Sequence, residues 1–510
     1  MLTKVSAIAN VGLETVGVDV EVDVASVGFP GFTIVGLASK AIEEARERVK
    51  TALINSGFDF PPKKITVNLA PADLPKDSAA YDMPIAVGIL LSSGQLPSID
   101  LTKYFFYGEL SLDGSLRPTR GILLLALYAQ KQSKMTIFVP APSAAEATVV
   151  SEIRVIPVKT VKDLFNHLSG EKMIPPLRHV PVDDDSDAPS VDFDLSEIAG
   201  QEQAKRALII AAAGGHNVLM WGPPGTGKTM LARALPGILP PLSSREALEV
   251  TRIYSISGLL SPGKALVKRR SFRAPHHGVS AAGLIGGGTN PLPGEVSLAH
   301  LGVLFLDEMP EFPRSVLESL RQPMEDGVVE IVRVSGHVKY TASFTLIAAI
   351  NPCPCVYLGH PRRECKCTEK QIVKYHHRIS GPILDRIDLS VPVAAVEVEK
   401  LSLTAPKTTD RVTSKQAKDA VMKARKIQSK RFADLPIYTN SQMRNREVKK
   451  YGHLTPEAEN FLKLASDKYD LSARSYFRMI KVARTIADLS DSRDIGPVHM
   501  AEALQYKQRL

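Results

Sequence analysis

The feature that most constrains this chain is the octet Gly222-Pro223-Pro224-Gly225-Thr226-Gly227-Lys228-Thr229, which fits the pattern G-x-x-x-x-G-K-[ST]. It follows the apolar run Val218-Leu219-Met220-Trp221 and precedes a helix-forming segment at 230–235. Strand, glycine-rich loop and helix in that order let backbone N–H groups curl round phosphate oxygens at the positive end of a helix. Lys228 suits the β- and γ-phosphates, and the Thr229 hydroxyl suits Mg2+, a hard cation that keeps oxygen ligands. A chain built this way is expected to bind ATP.

Downstream, Gly302-Val303-Leu304-Phe305-Leu306 ends in Asp307-Glu308. An apolar strand that delivers two carboxylates at its C-terminal end puts them where open α/β sheets hold ligands. Asp307 is expected to hold the Mg2+ shell, and Glu308 to orient and deprotonate the attacking water. The run Leu346-Ile347-Ala348-Ala349-Ile350 closes on Asn351. That residue either faces the same edge and holds the lytic water, or simply opens a turn before Pro352.

At 510 residues, 44% hydrophobic and 23% charged, the chain has the make-up of a globular protein of two to four units. Glu14, Asp19, Glu21 and Asp23 interrupt the apolar N-terminus, which argues against a signal or membrane helix and for a cytoplasmic protein. Residues 171–193 hold four prolines and Asp183-Asp184-Asp185 and read as a linker. Before it, strand character at 16–27, 64–69 and 135–139 and helical periodicity at 42–57 and 81–93 predict an α/β unit over 1–170. Strands at 217–221, 303–306 and 345–350, alternating with helices, predict a parallel sheet in a unit spanning 194–395. Residues 396–510 are expected to be helical. From 397 to 510 stand 23 Lys and Arg against 14 Asp and Glu, a surplus equal to the whole chain's +9. That surplus fits either nucleic acid or a solvated surface.

All four cysteines cluster as Cys353-Pro354-Cys355 and Cys365-Lys366-Cys367. In a reducing compartment such pairs close round one tetrahedral Zn2+ or remain free thiols, with His360 as an outside candidate ligand. Residues 328–334 and 337–340 alternate around Ser335-Gly336, a pair that suits a hairpin turn.

Together the P-loop, Pro75-Lys76-Asp77-Ser78, residues 143–147, Phe272-Arg273-Ala274-Pro275-His276-His277, Pro293-Gly294-Glu295, residues 303–313 and residues 380–388 resemble the magnesium-chelatase-like AAA+ proteins of the ComM/YifB family. The resemblance covers nearly the whole chain. It implies a Lon-protease-like (ribosomal S5 domain 2-like) α+β domain, then a P-loop AAA+ α/β core, then a C-terminal helical lid. It further implies an ATP- and Mg2+-dependent hexameric ring that acts on single-stranded or branched DNA, as in branch migration of recombination intermediates. A chelatase-type ATPase subunit and a protein remodeller are the alternatives.

The resemblance assigns Arg386 to an arginine finger that reaches the neighbouring subunit's γ-phosphate. It assigns Arg474 to a second sensor arginine, with Arg478 and Arg484 close by. Each is otherwise an ordinary surface or ion-pair residue. Ring helicases related to the family project insertions into the pore, which makes Arg273, His276 and His277, and Arg333, His337 and Lys339 of the hairpin, candidate phosphate contacts. The N-terminal unit lacks the protease dyad. Asp82 stands where such proteases keep serine, Ile122-Leu123-Leu124-Leu125 stand where they keep lysine, and Ser78 has no lysine partner.

Overall fold

The computed structural model describes residues 2–26, 29–36, 42, 44–72, 74, 76, 78–132, 136–181, 193–261, 263–288, 291–333, 336–358, 363–394, 412–435 and 437–507, the Arg333 side chain excepted. His360 and residues 182–192 of the expected linker lie outside them.

Alternating apolar and polar residues make the N-terminal hairpin. Strands β1 (Leu2–Val11) and β2 (Glu14–Val24) pair antiparallel, Leu2 opposite Asp23 and Val11 opposite Glu14. Val18, Val20, Val22 and Val24 fall on the buried face. β3 (Gly31–Val35), helix α1 (Ala45–Asn55) and β4 (Lys64–Ala70) follow, giving the sheet order β1-β2-β4-β3. Helix α2 (Asp82–Ser92) is apolar all round and buried along its whole length. Its one charge, Asp82, accepts from Arg48 Nε at 2.9 Å and Nη2 at 3.1 Å and from the Leu110 N–H at 3.2 Å. Burial still pushes that carboxyl up to about 6. β5 (Tyr104–Phe106), α3 (Ile122–Lys131), β6 (Thr136–Pro140) and β7 (Arg154–Val158) add a parallel three-stranded sheet of order β5-β6-β7. The two helices expected over 1–170 are present with their ends trimmed, and the three strands are present at bounds shifted by up to three residues.

The second layered region is a five-stranded parallel sheet. Its strands are β8 (Val218–Trp221), β9 (Phe272–Arg273), β10 (Val303–Leu306), β13 (Thr345–Ile350) and β14 (Leu389–Pro392), in the order β9-β10-β13-β8-β14. The central strands are short uninterrupted apolar runs because helices cover both faces of a parallel sheet. All six residues of β13 are buried. Helix α4 (Lys228–Ile238) leaves the P-loop, and α5 (Ser244–Ser257) opens on a Ser243–Glu246 capping box. Between β10 and β13 stands the expected hairpin, β11 (Val328–Arg333) and β12 (Gly336–Thr341). Its turn differs from the Ser335-Gly336 expectation, since Gly336 pairs with Arg333 inside the ladder.

The two layered regions touch. Ser255 of α5 accepts from the Gly121 N–H at 3.1 Å and donates through Oγ to Glu146 at 2.5 Å, and Arg252 donates to the Leu13 carbonyl at 2.7 Å. Burial raises the Glu146 carboxyl to about 7. Val11 and Leu13, flanking the β1–β2 turn, pack against the apolar cluster that includes Val329, Ile331, Val338 and Tyr340, and a Cβ on Gly12 between them would meet Val338 at 2.4 Å.

The described remainder is helical. After α6 (Glu369–His376) and β14 come α7 (Ser414–Arg431), the helices Asn445–Tyr451 and Pro456–Tyr469, α8 (Ala473–Leu489) and Pro497–Gln505. Among the described residues no helix is long and apolar enough to cross a membrane. The whole is a mixed α/β chain with a parallel sheet and a helical C-terminal region, consistent with an AAA+ magnesium-chelatase-like fold.

Candidate active site

Sheet order brings the sequence motifs together. β8 lies beside β13, which lies beside β10, so the P-loop, Asn351 and the Asp307-Glu308 pair leave neighbouring strands at the same edge. Parallel strands put their C-terminal ends on one side, and ligands bind there.

The P-loop needs its glycines. A Cβ on Gly222 would stand 2.1 Å from the Val393 carbonyl oxygen, and Gly227 turns into α4 at φ +91° with open space around it. The loop is therefore an amide-lined cradle that a phosphate chain fits. Lys228 is buried, and its Nζ donates to the carbonyls of Gly222 at 2.7 Å and Pro223 at 2.8 Å and to Asn351 Oδ1 at 3.4 Å. Burial lowers its pKa, and the Asp307 and Glu308 charges oppose that shift. Thr229 Oγ1 donates to Asp307 Oδ2 at 3.2 Å, so the two oxygens suited to Mg2+ already face each other. Glu308 sits at a left-handed φ of +49°, uncommon outside glycine, and accepts from Asn351 Nδ2 at 3.5 Å. A cation, two carboxylates, a hydroxyl and an amide thus share one edge. This set can neutralise a polyphosphate and orient a water molecule.

Gln201 was not legible as part of this site. From a left-handed N-cap position its Nε2 donates to Thr226 O at 3.3 Å and Ala394 O at 2.6 Å, pinning the P-loop to the strand β14 side. Tyr375 was not legible either. Its hydroxyl meets the Asn351 backbone N–H, and burial raises it to about 12.

Arg386 and Arg474 lie elsewhere. Both line a cleft of about 1140 Å3 at the N-terminal ends of the strands, formed also by Asn217, Gly302 and Thr345. None of the P-loop residues, Asp307, Glu308 or Asn351 borders it. Its walls carry nine Lys and Arg against six Asp and Glu. Arg386 Nη1 donates to Pro382 O at 2.7 Å and Nη2 bonds Glu325. Arg386, and more weakly Arg474, holds the Glu325 carboxyl below its ordinary value.

Burial separates the three C-terminal arginines Arg474, Arg478 and Arg484. Arg478 is buried and donates to the carbonyls of Asp385 at 3.1 Å and Ile387 at 2.7 Å. Arg484 is buried on Asp488 at 3.0 Å and the Arg493 carbonyl at 2.7 Å. Arg474 alone of the three is exposed.

The phosphate-contact candidates have different local partners. Arg273 is held bidentately by Glu295 at 2.6 and 2.7 Å and sits on edge strand β9. The rings of His276 and His277 lie tilted at 34° with centroids 4.0 Å apart. On the hairpin's solvent face, Glu330 faces Lys339 at 3.5 Å and His337 at 3.8 Å, which offsets their charge. The Arg333 side chain is outside the described residues. The four cysteines do converge, with all four sulfurs within 4.8 Å of one another.

Comparison with known proteins agrees with this geometry. Three family models match: magnesium chelatase subunit ChlI at 194–401, subunit ChlI of Mg-chelatase at 20–143, and the magnesium chelatase subunit ChlI C-terminal region at 411–507. The chain is 43% identical to competence protein ComM of Haemophilus influenzae over 98% of its own length and 96% of that protein's. It is 42% identical to YifB of Salmonella typhimurium over 98% of this chain and 96% of that one. A 38 kDa magnesium-chelatase subunit of Rhodobacter capsulatus is 29% identical over 31% of this chain and 50% of that subunit. Similarity along the full length, with the P-loop edge assembled, means that the chain belongs to the ComM/YifB family of magnesium-chelatase-like AAA+ ATPases.

Proposed function

We propose that this protein hydrolyses ATP at a site shared between neighbouring copies in a hexameric ring, and that hydrolysis drives movement along DNA, as in branch migration. One observation carries the shared site. Arg386 and Arg474 flank one cationic cleft at the end of the sheet remote from the P-loop. A six-residue strand such as β13 spans about 20 Å, beyond an arginine's reach, so these cations serve a second copy.

In this reading Lys228 and the P-loop amides hold the phosphates, and Glu308, steered by Asn351, accepts the proton of the attacking water. Thr229 and Asp307 would hold Mg2+, which supplies neutralisation of phosphate charge. Arg386 and Arg474 from the adjacent copy meet the charge that grows on the γ-phosphate. The test is subunit mixing. Lys228→Ala and Arg386→Ala are each expected to be inactive, and a mixture is expected to regain turnover through interfaces that pair an intact P-loop with an intact finger. A mixture as dead as its parts would refute sharing.

The DNA reading is supported by the competence-protein relative and by basic charge on the lid. Lys415, Lys423, Lys426 and Lys430 are exposed on the solvent side of α7, a spacing that suits contact with backbone phosphates. Turnover measured without DNA and with single-stranded, duplex and branched DNA is expected to rise most with branched DNA and to lose the rise at high salt. Indifference to all three would sink the DNA role. A chelatase-subunit reading is favoured by the three chelatase family models, yet the chelatase relative from Rhodobacter capsulatus covers only 31% of the chain.

We assign residues 1–170 to a Lon-protease-like platform without protease chemistry, 171–193 to the linker, 194–395 to the AAA+ core and 396–510 to the lid, in a cytoplasmic protein. The absent dyad has a physical basis. Asp82 is locked to Arg48, residues 122–125 are buried, and the Ser78 hydroxyl caps Ala80.

A further inference from the structure

The cysteine cluster begins two residues beyond Asn351, in the turn that follows β13. Cys353 Sγ lies 3.4 Å from Cys355 Sγ and 3.6 Å from Cys365 Sγ, and Cys355 Sγ lies 3.5 Å from Cys365 Sγ. These separations exceed the ~2.05 Å of a disulfide. They approach the roughly 3.8 Å edge of a tetrahedron built on Zn–S bonds of about 2.3 Å. Amide N–H groups point at the sulfurs as they do at thiolates. Leu358 N–H reaches Cys353 at 3.3 Å, and the Tyr357 and Lys366 N–H groups reach Cys355. Between the pairs, Val356 adopts φ +64°. A β-branched residue holds that conformation only where its surroundings fix it.

The chain then returns to its start. Thr368 caps α6 directly after Cys367, and the far end of that helix bears on the segment before Cys353. His376 Nε2 donates to the Pro352 carbonyl at 3.1 Å, and the Tyr375 hydroxyl takes the Asn351 N–H. The cysteine loop and α6 therefore form a closed circuit around Asn351, whose side chain contacts both Lys228 and Glu308.

We infer that Cys353, Cys355, Cys365 and Cys367 bind one structural Zn2+, releasing their thiol protons to solvent, and that this ion fixes Asn351, and through it Glu308, for hydrolysis. The second half rests on the ATPase reading above. Tyr375 and the cysteines are positioning residues in this scheme, since they act through Asn351.

The experiment uses the full chain purified without chelator. Elemental analysis is expected to find about one zinc per chain. The double variant Cys355→Ser/Cys365→Ser is expected to lose the zinc and to lower kcat about tenfold or more. Its affinity for a non-hydrolysable ATP analogue should hold, because the P-loop is untouched. Tyr375→Phe keeps every thiol and guards against a double variant that fails to fold. It is expected to retain the zinc while lowering kcat and leaving analogue binding unchanged. Native protein with no zinc, or with iron in its place, overturns the metal site. Zinc-free double variant, or Tyr375→Phe, with undiminished kcat overturns the coupling. Zinc-loaded wild type that never turns over ATP overturns the coupling together with the ATPase reading, and the zinc content still decides the site.

Discussion

The two ends of the five-stranded sheet are made by the same strands and carry opposite chemistry. Where the strands finish, Lys228, Thr229, Asp307, Glu308 and Asn351 contact one another at 3.2 to 3.5 Å. Where the strands begin, guanidinium groups crowd a cleft and outnumber their carboxylate partners. The first end is preorganised by internal bonds and the second is left with unbalanced positive charge. That difference is what the proposed sharing of sites rests on: the first end suits the phosphates of its own chain, and the second suits charge brought by another chain.

The largest way to break the comparison is Arg386→Ala. A finger that meets charge developing only in the transition state is worth about 10³ or more in turnover. ATP affinity should hold, because the P-loop end is intact, and equilibrium nucleotide binding beside steady-state kinetics checks both. A change smaller than tenfold would mean the far end takes no part. Glu308→Gln acts at the other end and keeps the shape while removing the proton acceptor. Turnover is expected to fall by about 10²–10⁴ with ATP still bound, and normal turnover would return the general-base role to another group.

The smallest effect comes from a carboxylate belonging to neither end. Glu146 has an ordinary value of 4.5 and is raised to about 7 by burial against α5. The native state therefore binds more protons than the unfolded chain between those values. Its stability falls as pH rises through that window, with the penalty complete above about 7. Glu146→Gln is expected to stabilise the protein by about 1–3 kcal/mol at pH 8 and not at pH 4, with turnover unaltered. Urea unfolding at the two pH values measures it, and an equal effect at both would place the cause outside this carboxyl.

What could be read beforehand was what is local. The P-loop, the acids closing β10 and the Asn closing β13 were legible because each follows its strand directly, and strand ends need no knowledge of distant partners. The ion pair of Arg273 was not legible, for the opposite reason. Its partner Glu295 lies on a different element, and only the packing of α5, β9 and the helix Glu295–Leu298 brings the two together. The same holds for Arg474, Arg478 and Arg484. They sit within three turns of one helix, and burial decides which stays in solvent: Arg478 is covered at the carbonyl of Ile387, 91 residues away, and Arg484 at Asp488 and the Arg493 carbonyl. Gln201 gave no signal, because a glutamine before a helix carries no motif until its loop and strand are in place.

Arg478 also sets how the far end behaves as a device. It rivets α8 to the carbonyls of Asp385 and Ile387, on either side of Arg386, and Arg474 leaves the same helix one turn earlier. Arg386 and Arg474 are thus carried on a single mount. Under the proposed sharing of sites, a neighbour's nucleotide would meet both charges or neither, so each interface would work as a two-position contact without intermediate grades and a ring could pass a discrete signal from one copy to the next.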